Sequence, residues 1–152
     1  MFQGQLLGIY VHGPKGEDLR RVETATVHAG RGIEGDRYYR EDGTGKPDQE
    51  VTLVEMEAVE ALARECNLKI DPGKVRRNLL TREVPLNHLV GREFQVGGGV
   101  LRGIRLCEPC DHLESLTVKG IKDGLYHRGG LRAEIIEGGT VRAGDVIRLR
   151  PA

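Results

Sequence analysis

Glycine constrains this chain more than any other residue. There are 22 glycines in 152 residues, set singly and in pairs between short apolar runs. A flexible linker would gather them into one tract. Scattered glycines instead mark turns, bends and close backbone approaches between short strands, as in a barrel or sandwich. "QLLGIYVHG" (Gln5 to Gly13) and "LRRVETATVHAG" (Leu19 to Gly30) read as strands around the turn "GPKGED", and "EVTLVE" reads as a buried strand. "LNHLVGREFQVGGGVLRGIRLCEPC" reads as a brief turn and two strands around Gly97 to Gly99. "RGGLRAEIIEGGTVRAGDVIRLR" reads as a strand, a tight turn and a closing strand, with Gly144 and Asp145 at the turn into it.

One segment breaks the pattern. From Glu55 to Cys66, the residues Met56, Val59, Leu62 and Cys66 recur at spacings of three and four, which predicts an amphipathic helix stopped by Asn67. On that stripe Cys66 is expected to be a small core residue. "DHLESL" suits a short helix with Asp111 as N-cap and Glu114 three residues on. The expectation is therefore one domain over residues 1–152, mainly β: a closed or near-closed antiparallel β-barrel with a few short helical insertions.

Composition excludes several roles. Lys plus Arg and Asp plus Glu both total 23, and aromatic residues make up 4% with no tryptophan. That fits neither a phosphate-backbone binder nor a base-stacking platform, so no nucleic-acid partner is expected. No apolar run matches a bilayer, and the start lacks a basic region and cleavage signature, so the expected location is cytoplasmic, off the membrane. Three cysteines do not describe a secreted disulfide scaffold, and their thiols should be mostly free.

Four stretches carry chemistry. "GRGIEGDRYY" combines three glycines with Asp36 and Arg37, a pattern that suits either a backbone nest for an oxyanion or a hairpin whose polar residues cap turns. "KVRRNLLT" sets Arg76, Arg77 and Asn78 before an apolar pair; the forks and amide suit a phosphate or heterocycle edge, or else form a solvated basic edge. "YHRGGLRAEII" places His127 and Arg128 before a double glycine, where basic groups converge on an anion or simply decorate a turn. "LCEPCDHL" holds Cys107, Cys110 and His112. It offers a partial zinc set, a redox pair, or a single thiolate at Cys110 favoured by a helix start. Zinc would need a fourth ligand that no spacing singles out.

In this order, "GIEGDRYY", "VRRNLLT", "LVGREFQVGG", "LCEPCDHL" and "HRGGLRAEIIEGGTVRAGDVIRL" resemble the MOSC family, named after the C-terminal part of molybdenum cofactor sulfurases. The match runs from about the thirties to the C-terminus, and the length resembles that of stand-alone bacterial members. The resemblance implies a β-barrel and one working cysteine, Cys110. That residue binds the metal of a molybdopterin-type molybdenum cofactor in some relatives and carries sulfur in others. It places Arg76 and Asn78 on the R-x-N positions that help hold the cofactor, and Asp36 and Arg37 on the G-D-R stretch lining the same cleft. Cys107 is not carried over, and His112 is at best a supporting residue. The implied activity is sulfur relay fed by a cysteine desulfurase, or reduction of small N-hydroxylated compounds with an electron-transfer partner. A non-catalytic module stabilised by zinc, or binding a phosphorylated ligand, is the alternative.

Overall fold

The computed structural model of the chain describes residues 1–151. Eleven strands, three α-helices and three short 3-10 helices follow one another along the described residues. The strands are β1 (Gln3–Val11), β2 (Arg20–Val22), β3 (Thr24–His28), β4 (Gly32–Ile33), β5 (Val51–Glu55), β6 (Leu79–Arg82), β7 (Glu93–Val96), β8 (Gly99–Leu106), β9 (Leu131–Glu137), β10 (Gly139–Arg142) and β11 (Val146–Leu149). The helices are α1 (Met56–Cys66), α2 (Asp111–Leu116) and α3 (Ile121–Gly124).

Seven strands close on themselves in the order β1, β6, β5, β9, β8, β7, β11, with β11 pairing back onto β1. Closure leaves no long edge exposed. The turn before β11 makes the seam: Gly144 and Asp145 exchange backbone hydrogen bonds with both polar groups of Leu6. A second sheet, β10-β3-β4, sends Val141, Val27 and Ile33 into the barrel core.

Every barrel pair but one is antiparallel. The exception is β5 with β6, which run parallel. Parallel neighbours need a crossover connection, and α1 is that crossover. Alternation along these strands then builds two cores. Leu53 and Leu79 face the barrel interior with Leu6, Phe94 and Leu131, while Val54 and Leu80 face outward onto Val59 and Leu62 of α1.

The helix ends where expected, with Asn67 in the left-handed region at φ 56°. Its apolar stripe stops one turn sooner than expected. Cys66, the last helical residue, is exposed, because the chain turns away there and Leu62 is the last stripe residue to reach the core. The start of α2 differs by one residue: Cys110, not Asp111, is the N-cap. Glu114 does not complete a capping box, since its Oε1 accepts from the backbone N–H groups of Gly120 and Lys122 instead. Gly103 is demanded by sterics, because a Cβ there would lie 2.2 Å from the carbonyl oxygen of Leu89. Among the described residues, no helix is long and apolar enough to cross a membrane.

Candidate functional site

One rim of the barrel gathers the C-terminal ends of β1 and β8 and the N-terminal ends of β5, β6 and β9. Between them opens a cleft of about 260 Å³. The β1–β2 turn brings His12 and Lys15 to it, the loop after β4 brings Arg37 and Tyr38, and the approach to β6 brings Arg76, Arg77 and Asn78. Cys107 and Cys110 enter from the end of β8, His112, Leu113 and Leu116 from α2, and Arg132 from β9. Of the residues expected to hold a ligand, Cys110, Arg37, Arg76 and Asn78 line this one cleft.

The charge of the lining is one-sided. Lys15, Arg37, Arg76, Arg77 and Arg132 are present, and among the described residues no aspartate or glutamate lines it. Several of these cations are held by uncharged partners. Arg76 Nη1 donates to the carbonyl of Glu17 at 2.7 Å, and the Arg37 guanidinium lies 5.3 Å from the centre of the Tyr38 ring. Arg132 Nη1 donates to the carbonyl of Asp48, while its buried Nε has no partner among the described residues.

Arg77 is buried and donates to three carbonyls, those of Gly129 at 2.8 Å, Cys107 at 3.0 Å and Val75 at 3.3 Å. Burial pulls its guanidinium below the ordinary value, and negative charge on Cys107 or Cys110 opposes that shift. A buried cation held only by carbonyl dipoles favours an anion in front of it.

Asn78 and Asp36 brace the site. Asn78 Nδ2 donates to the carbonyl of Tyr10 at 2.9 Å and to Asp36 Oδ1 at 3.2 Å. Its Oδ1 accepts from Thr52 N at 3.0 Å and Thr52 Oγ1 at 3.2 Å. The amide is thus fully engaged by β1, β5 and the loop after β4. Asp36 lies buried behind the cleft, not among its lining residues. Burial alone would raise its carboxyl, but hydrogen bonds from the His12 side chain and backbone and from Tyr38 N outweigh this and hold it below the ordinary value.

The run from Cys107 to Cys110 follows β8 without regular structure, and the two cysteines form no disulfide. Cys107 is buried and Cys110 exposed, and both are free. Among the described residues, no group of three or more His, Cys, Asp or Glu side chains is placed to hold a metal ion. The set Cys107, Cys110 and His112 is therefore not assembled as a zinc site. His112, expected only to support, lines the cleft itself.

His127 and Arg128 are not among the residues lining the cleft. The backbone N–H and Nδ1 of His127 both meet the carboxylate of Glu108, which lies between the two cysteines. Arg128 turns toward α1 and α3, bonding Glu65 and the carbonyl of Gly124. His127 thus braces the segment between the cysteines, while Arg128 ties α1 to α3. Gly130 completes that support, since at φ +123° a Cβ would stand 2.1 Å from the carbonyl oxygen of Leu53. Sequence reasoning passed over His12 and Lys15 as site residues, while Arg132 was read with His127 and Arg128 as a candidate anion contact and does line the cleft. His12 and Lys15 follow β1 with no motif around them, and only the barrel topology brings them to the others.

The MOSC domain family model matches residues 40–148. No protein of curated function matches the sequence. Among solved structures, the YuaD protein from Bacillus subtilis is similar over 97% of both chains, with a TM-score of 0.80 at 16% identity. YiiM from Geobacillus stearothermophilus matches 97% of this chain and 75% of its own, with a TM-score of 0.76 at 14% identity. YiiM from Escherichia coli matches 100% of this chain and 71% of its own, with a TM-score of 0.69 at 19% identity. At such identities these structures speak to fold, and the family model supplies the affiliation. On that match and this barrel, the chain belongs to the MOSC domain family.

Proposed function

We propose that the cleft takes the molybdenum cofactor, or a sulfur species destined for it, with Cys110 as the single protein thiolate that binds or carries it. The observation behind this reading is the lining itself: an exposed thiol among five cationic side chains, with no acid, in a chain whose formal charge is zero. The donor set fits such a group. Cys110 offers a soft ligand to molybdenum or sulfur, Arg37, Arg76 and Lys15 offer donors to a phosphate, and Arg132 Nε is a buried donor still without a partner. Asn78 and Asp36 enter as the frame that orients Arg37, His12 and the approach to β6.

When bound, the cofactor would supply two-electron redox chemistry at its metal. The chain's own contribution is to bind, orient and neutralise an anionic ligand beside Cys110. Two activities are compatible with it: relay of sulfur from a cysteine desulfurase, and reduction of N-hydroxylated compounds with an electron-transfer partner. The test is molybdenum and sulfane-sulfur content after anaerobic purification, comparing the native protein with Cys110→Ser. Either signal should be present in the first and absent from the second. Equal content in both, or none in either, refutes the reading.

A further inference from the structure

Two guanidinium groups sit where the cysteine segment leaves the barrel, and among the described residues neither meets a carboxylate. Arg77 is buried, with 9% of its surface exposed. Its Nη2 donates to the carbonyl of Cys107 and its Nε to that of Gly129, while Cys107 N donates to the carbonyl of Gly130. The guanidinium is thus fixed against the neighbouring ends of β8 and β9, at the base of the segment that carries Cys110. Arg132 stands on the same end of β9, in register with Thr52 of β5 and Arg105 of β8. Leu131 and Ala133 on either side of it enter the core, so Arg132 takes the other face of the strand, where the cleft lies. The acid at hand is already taken. The Asp48 carboxylate bonds Arg105 at 3.0 Å, and Arg132 receives only the Asp48 carbonyl, at 3.0 Å through Nη1. Burial depresses the Arg77 guanidinium most, negative charge at Cys107 or Cys110 opposes this, and the charge of Arg132 adds to it. Two cations and two sulfurs therefore share one electrostatic neighbourhood, and Cys110 is the exposed sulfur in it.

That neighbourhood suits a compact anion carrying more than one negative charge. A thiolate attacking an anion is opposed by like charge, and fixed cations beside both reactants offset the repulsion. A lining without an aspartate or glutamate also favours a leaving group that departs as a stable anion and needs no proton. An inorganic sulfane donor meets each requirement. We propose that the cleft is a sulfurtransferase site in which Cys110 takes the outer sulfur of an anionic sulfane donor, thiosulfate being the simplest, while Arg77 and Arg132 hold the sulfite end. In the step, Cys110 Sγ gives its proton to solvent and attacks the outer sulfur. A new S–S bond forms at Cys110 as the S–S bond of the donor breaks, and the bonding pair leaves with sulfite. A thiolate and a dianion give a persulfide anion and a dianion, so neither oxidant nor reductant is consumed. The inference rests on reading Cys110 as a sulfur carrier and deepens it by naming the chemistry of the donor.

The probe is thiosulfate, added to protein that has been reduced and then freed of reductant. Sulfite release and peptide mapping by mass spectrometry read the outcome. The native protein should gain one sulfur atom at Cys110, release one sulfite per chain, and form thiocyanate continuously once cyanide is added as acceptor. Cys66 is an internal control, since it is exposed and free like Cys110 but lies outside the cleft, and it should stay unmodified. Cys110→Ser should neither gain sulfur nor form thiocyanate. Arg132→Gln keeps a polar amide without the charge. It should lower kcat/KM for thiocyanate formation roughly tenfold, mainly by raising KM, the effect of losing one charge-assisted contact. Mapping on the native protein decides the matter even if that variant folds poorly. No sulfur gained by the native protein, equal gain at Cys66, or an unchanged kcat/KM in Arg132→Gln each overturns the inference. If molybdenum or sulfane-sulfur content at purification depends on Cys110 while thiosulfate loads nothing, this inference alone falls. If neither the content nor the loading depends on Cys110, the reading of the site falls with it.

Discussion

Asn78→Ala separates a brace from a ligand contact. The substitution removes four hydrogen bonds that the side chain makes to Tyr10, Asp36 and both polar groups of Thr52, between 2.9 and 3.2 Å long. Asp36 keeps three donors, His12 N, His12 Nδ1 and Tyr38 N, so no buried charge is left bare. At about 1 kcal/mol per bond the loss is about 4 kcal/mol. For a chain of this size that lowers Tm by about 8–16 °C. Urea midpoints and thermal melts monitored by circular dichroism measure it, and an unchanged m value would show that the same fold is unfolding. A loss below about 1 kcal/mol refutes the reasoning. It would mean that the amide is held in reserve for a ligand.

Two further outcomes follow from the same packing. Burial raises the Glu50 carboxyl above its ordinary value, so the folded chain binds that proton more tightly than the unfolded chain does. Its contribution is therefore present below the unfolded carboxylate range and is lost as pH rises through the folded value. Glu50→Gln should gain stability relative to the native protein between about pH 4 and pH 7, and urea midpoints that run parallel across that range would exclude this. Gly130→Ala forces a side chain against the Leu53 carbonyl in a left-handed backbone. It should cost about 3 kcal/mol or more, and a shift under about 1 kcal/mol in denaturant would show that the strand contact yields easily.

Much of the barrel was legible because its signals are local. Glycines and alternation mark the strands, and the Met56, Val59, Leu62 stripe marks α1. The parallel pairing of β5 with β6 was not legible, because pairing sign depends on where a connection returns rather than on any residue in the strands. Cys66 misled for a related reason: its spacing fits the stripe, but the helix runs past the core before reaching it. In the site, Cys110, Arg37, Arg76 and Asn78 were found together through motif order. The burial of Arg77 was hidden, since an arginine beside another arginine reads as surface until three carbonyls are seen to enclose its guanidinium. His12 carries no local signal at all. Its meaning comes from Asp36, 24 residues away.

The seam between β1 and β11 also governs when this protein can exist as a barrel. Gln3 pairs with Arg148 and Gln5 with Val146, so the ring is joined by almost the first and almost the last described residues. During synthesis, β1 emerges early and has no seam partner until residues 146–148 have left the ribosome. Until then it must rest on β6 and β2, with a vacant ladder edge facing outward. Contacts so distant in sequence close slowly, after the loop entropy has been met. The last strand therefore acts as a clasp in time as well as in space, and the edge of β1 stays open until it arrives.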